Sequence, residues 1–158
     1  MSMSTTFKQS AASSSVLTLA RRAIGLLEFV KPVGDLAVRL MVANVFWQSG
    51  LTKIQSFDTT LQLFRYEYSV PLLPPEVAAY LATFSELTFS VLLAAGLGGR
   101  FAAAALSVLN IVAVISYPAL DANALGYHQL WGVLLLVPLL HGPGKLSLDH
   151  LIAKKFGF

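Results

Sequence analysis

One carboxylate stands alone in an apolar stretch. In the segment EVAAYLATFSELTFSVLLAAGLGGR, Glu86 is the single charged residue between Glu76 and Arg100. A charge at the centre of a bilayer costs from about 2.5 to more than 10 kcal/mol, so Glu86 must be neutral or paired. Thr83, Glu86 and Ser90 recur at spacings of three and four, which puts them on one helical face as an inward polar stripe. Arg39, in the preceding apolar segment VGDLAVRLMVANVFWQSGL, is the partner the sequence predicts, and Asn110 falls at a similar depth in the next segment. The expectation is an interhelical pair of Arg39 and Glu86 with Asn110 beside it. Two readings follow. Such a pair can fix helix packing and register without chemistry. Alternatively, Arg39 and Glu86 are the catalytic candidates of a proton, quinone or substrate site, because ionisable groups inside a membrane mark functional sites.

A second group gathers at one end of the apolar segments. Trp47, Gln48 and Lys53 close the first, Tyr66 and Tyr68 lie in the loop after it, Tyr117 and Asp121 end the third, and His128 and Trp131 open the fourth. Read structurally, these residues are an aromatic belt with a snorkelling lysine. Read chemically, Trp47, Tyr117 and Trp131 hold a ring, while Lys53 and His128 donate hydrogen bonds or move protons. A quinone headgroup or a small anion suits that set. No metal site is expected: His128 falls at the opposite end from His141 and His150, so the three histidines cannot converge. Neither a Gly-rich phosphate loop, nor a nucleophile elbow, nor a zinc-protease signature occurs.

The segments that position these residues are set by composition. Of 158 residues, 56% are apolar and 12% charged, about half the charged share of a soluble domain, and the mean hydropathy is +0.69. So few charges cannot cover a water-facing surface; the chain reads as an integral membrane protein. With no cysteine, disulfides, thiolate metal sites and iron–sulfur clusters are excluded. The net charge of +3 comes from basic residues near the chain ends and reads as a topology signal, not a nucleic-acid patch.

The fold expected is an all-α, four-helix integral membrane bundle with amphipathic helices at both ends. Residues 1–15 are small and polar and predict disorder. Leu17, Ala20, Ile24 and Leu27 then share one helical face, which suits an amphipathic helix on the membrane surface. Residues 1–32 thus form a cytoplasmic N-terminal segment, and residues 33–158 a four-span domain with an amphipathic tail. The spans are predicted over 33–51, 76–97, 101–118 and 124–140, each near the roughly 20 residues a bilayer requires. Gly-Pro-Gly at 142–144 ends the last, and Ser147 is placed to cap a short helix bearing Lys154 and Lys155. Lys8, Arg21, Arg22, Lys31, Arg100, Lys145, Lys154 and Lys155 fall on one side of a four-span topology, which puts both termini in the cytoplasm.

The motifs in order resemble those of the DoxX family of small four-span membrane proteins. Arg39, Gly50 and Lys53 fall on its first-span motif. Glu86, Gly96, Leu97 and Arg100 fall on its second hairpin, and Gly142, Pro143, Gly144, Ser147 and Asp149 on its tail. The match spans residues 33–152 and omits the first 32. The resemblance implies an inner-membrane protein of redox metabolism, since the family takes its name from the small subunit of a thiosulfate:quinone oxidoreductase. No cofactor is intrinsic to the chain, so electron chemistry requires a quinone or a partner's redox centre. The leading expectation is a redox-associated accessory protein, as membrane subunit of a quinone-linked oxidoreductase. The alternative is a non-catalytic scaffold that docks protein partners in an oxidative- or metal-stress system. Partners are the bilayer, other proteins and, given the small core of four spans, a second copy of the chain.

Overall fold

The computed structural model describes the backbone of residues 3–157 and the side chains of residues 17–157. Six helices follow one another: α1 (Met3–Gln55), α2 (Phe57–Tyr66), α3 (Pro75–Ala95), α4 (Gly99–Ser116), α5 (Ala122–His141) and α6 (Leu148–Phe156). The chain divides into two units, one up to Gly34 and one from Asp35 onward.

The first unit is helix throughout its described backbone. No Gly or Pro precedes Gly25 to interrupt it. Helix therefore occupies the stretch predicted to be disordered, and it continues through Pro32. The side chains before Leu17 lie outside the described residues. From Leu17 on, apolar groups are exposed on more than one side: Leu19, Leu26 and Phe29 lie off the predicted stripe and are 65–81% exposed.

The second unit is an all-α membrane helical bundle. Helices α3, α4 and α5 are each long and apolar enough to cross a membrane. Their bounds lie within two residues of the predicted spans. The part of α1 beyond Asp35 packs with them: its Val42, Ala43 and Phe46 share one core with Leu93, Ala102, Ala103, Leu106 and Leu135. Asp35 and Arg39 dilute its hydropathy, yet its inward face packs like the others.

Two local features decide how the helices meet. At Gly50 a Cβ would lie 2.8 Å from the Leu87 side chain and 3.2 Å from Glu86 Cβ. The missing side chain lets α1 approach α3 closely. Gly96 closes α3 with φ +67°, a left-handed cap that suits glycine. The segment read as an exterior loop contains α2, whose Thr60 and Phe64 are buried. Phe57, Leu61 and Phe64 recur at helical spacing and pack against Ala78, Ala79 and Ala82 of α3. Ser147 caps α6 as predicted, its Oγ accepting from His150 N at 3.2 Å.

Candidate functional site

Glu86 is paired, but with Lys53. The Lys53 ammonium donates to both carboxylate oxygens at 2.8 Å and to Ser49 Oγ at 2.9 Å. Ser49 Oγ in turn donates to Glu86 Oε1 at 3.1 Å. Ser49 and Lys53 stand one turn apart on α1, facing Glu86 across the approach that Gly50 permits. The predicted pair of Arg39 and Glu86 does not form. Fourteen residues separate Arg39 from Lys53, about 21 Å along a helix. Both point inward, but at opposite ends of the bundle.

Arg39 is spent on the chain's own tail. Its guanidinium donates to the carbonyls of Pro143 and of Leu146, the latter at 2.7 Å. A Cβ on Gly96 would lie 2.7 Å from Arg39 Nη1 and 2.5 Å from Ser147 Cβ. Asp149 completes the join: its two oxygens accept from Gly98 N at 2.8 Å and Gly99 N at 2.9 Å, the unpaired donors at the start of α4. Its own N–H returns to Gly96 O at 2.9 Å. The Arg, Gly-Leu, Gly-Pro-Gly, Ser and Asp motifs thus converge on one latch that ties α6 to the α3–α4 turn. Arg39 acts there as a structural residue, away from Glu86.

Asn110 joins neither charge. Its Nδ2 donates to the His128 carbonyl at 2.9 Å, and its Oδ1 lies 2.7 Å from His128 Nδ1. Donation to a carbonyl fixes which end of the amide is nitrogen, so Oδ1 can only accept and Nδ1 must carry the proton. The neutral imidazole is therefore the Nδ1–H form, with Nε2 left as an acceptor.

Lys53, Glu86 and His128 face one cavity of about 550 Å³, walled also by Tyr68, Ser116 and Trp131. The cavity is mostly apolar with a few convergent polar groups, the usual make-up of a small-molecule site. His128 meets Trp131 edge-on at 4.9 Å, and Phe46 braces Trp131 from α1 at 6.3 Å. On the other wall Phe64, Tyr68 and Tyr117 form a stack, with ring centroids 4.8 and 5.0 Å apart. Burial pushes the Tyr68 hydroxyl above its ordinary range, and the neighbouring Tyr117, Glu86 and Glu67 add to it. Glu67, accepting from the Tyr117 hydroxyl at 3.1 Å, raises that phenol as well. Both remain neutral donors at physiological pH. Ser116 is fully buried, and its Oγ has no hydrogen-bond partner among the described residues.

Of the residues the sequence singles out, Lys53, Tyr68, Glu86, His128 and Trp131 come together in this cavity. Tyr117 stands behind Tyr68 instead of lining it, and Trp47 faces a separate groove between α1 and α3. Tyr66 is 79% exposed. Sequence reasoning misses Ser49 and Ser116. The i, i+4 spacing of Ser49 to Lys53 is a readable signal for the first; a serine at the end of an apolar helix carries none for the second.

The fold and site define a membrane helical bundle with a charged, aromatic-walled cavity open between its helices. The chain belongs to the DoxX family, whose profile matches residues 34–119. It is also similar to an uncharacterized protein of Haemophilus influenzae, 34% identical over 131 residues that cover 78% of this chain and 86% of that one. No solved structure gives a significant match.

Proposed function

We propose that the chain is the membrane component of a quinone-linked redox system, seated in the inner membrane with both termini in the cytoplasm. The observation that carries this reading is the cavity itself, where a cation, a carboxylate, a histidine with a fixed tautomer and an unpartnered buried hydroxyl meet between aromatic walls. A quinone ring presents two carbonyl oxygens across a flat apolar face. Ser116 supplies a free donor for such an oxygen and Lys53 a second by exchanging its bond to Ser49, while Trp131 and Tyr68 supply flat apolar contacts. When bound, the quinone accepts two electrons from a partner carrying a redox centre, together with two protons. Lys53 is placed to deliver one proton, with Glu86 holding the ammonium in place. His128 would deliver the other from Nε2 when protonated, and in its neutral form that atom would accept a proton. Asn110 holds the imidazole in the orientation this requires.

The test uses the protein purified in mild detergent. Trp47→Phe leaves Trp131 as the sole tryptophan, and decylubiquinone is titrated against its fluorescence. Saturable quenching is expected, weakened about tenfold or more by Lys53→Met, alongside a near-stoichiometric quinone in solvent extracts of the purified protein. Quenching that stays linear with concentration, together with an empty extract, would overturn the reading and leave the scaffold alternative.

A further inference from the structure

On the far side of α1 from the cavity, the bundle presents an amide to the lipid. Asn44 is exposed, near the middle of the part of α1 that crosses the bundle. Its side chain makes no hydrogen bond among the described residues. Gln48, one turn on, is exposed on the same face, and its side chain is likewise unpartnered. Asn44 opens onto a groove of about 360 Å³ between α1 and α3. The groove is floored by the small residues Ala43, Ser90 and Ala94 and edged by Leu40, Trp47 and Val91.

Lipid tails offer an amide nothing to bond, so a carboxamide at this depth needs a partner from another helix. Small residues beside it let such a helix approach closely. The identity of that helix follows from symmetry. Copies of one chain insert the same way round, so a two-fold axis along the membrane normal keeps every residue at the depth of its counterpart, and a residue at the axis meets its own counterpart. A carboxamide is both donor and acceptor, and two of them related by such an axis satisfy each other. A foreign helix would have to carry a complementary polar group at this depth; a second copy carries it by construction.

We infer that the Asn44 face of α1 and α3 is a homodimer interface, with Asn44 pairing to Asn44 of the second copy inside the membrane. The inference is independent of what the cavity binds.

The chain's lack of cysteine makes the test direct. Gln48→Cys is introduced with Asn44 intact, and native membranes are oxidised with copper phenanthroline; Val108→Cys, on the exposed face of α4, is the control. A disulfide-linked species of twice the monomer mass is expected for Gln48→Cys and not for Val108→Cys. Adding Asn44→Leu, which fits a lipid-facing site and leaves the fold intact, is expected to weaken self-association about tenfold at ordinary interhelical bond strengths. Energy transfer between labelled copies in vesicles of phosphatidylethanolamine and phosphatidylglycerol measures that change. Equal cross-linking at both positions, a cross-link only to a different protein, or self-association that Asn44→Leu leaves unchanged would each overturn the inference.

Discussion

Removing the Lys53 ammonium strands a carboxylate that is 7% exposed in the middle of α3. Breaking a buried pair from one side typically costs about 3–5 kcal/mol, whereas replacing both partners by apolar groups is often neutral. Lys53→Met is therefore expected to lower the unfolding temperature in detergent more than Glu86→Gln, whose amide still meets Ser49 and Lys53. Combining Lys53→Met with Glu86→Leu is expected to recover most of the loss. A double variant no more stable than Lys53→Met alone would mean that the pair is not what holds α1 to α3. Both residues stand out in the sequence, but in separate groups. The first span is predicted to stop at Leu51, and that boundary moves Lys53 into the interface. The helix in fact runs on to Gln55. As a helical residue beside Gly50, Lys53 reaches inward, and its flexible stem carries the charge to the depth of Glu86. The partners of Arg39 are backbone carbonyls, which no residue type announces.

At the level of helices, the latch between α6 and the α3–α4 turn makes the sharpest demands. Gly96→Ala is expected to cost about 2 kcal/mol or more, combining the left-handed backbone penalty with contact against Ser147 and Arg39. Asp149→Ala removes the acceptor of two N–H groups at the start of α4 and is expected to cost about 1–2 kcal/mol. Because both act on one joint, the double variant should lose less than the sum of the singles in detergent unfolding. Full additivity would show that they act at separate places. Helices α3, α4 and α5 were legible to within two residues because apolar runs of that length have few other uses. Helix α2 was not read, although Phe57, Leu61 and Phe64 mark its buried face. It is short, and its neighbours Thr59, Thr60 and Gln62 blur the period.

For the whole molecule, the proposed orientation rests on the distribution of basic residues. Leu72 is fully exposed at the tip of the connection between α2 and α3, and Lys145 is exposed in the turn before α6. In intact cells, an impermeant maleimide is expected to label Leu72→Cys on an otherwise cysteine-free chain. Lys145→Cys is expected to react only after the membrane is opened. The reverse pattern would invert the topology and place the cavity's mouth on the cytoplasmic side.

The latch also imposes an order of events on synthesis. Arg39 enters the membrane early, yet the carbonyls that receive it belong to residues 104 and 107 positions later. At roughly 5–20 residues per second, the ribosome needs about 5–20 s to supply them. Throughout that interval the guanidinium lacks those carbonyls and has only Asp35, one turn before it, to offset its charge, so this segment is a poor candidate to settle alone. The segment is expected to settle fully only when the end of the chain arrives. In biogenesis, the tail is the last step of inserting the beginning.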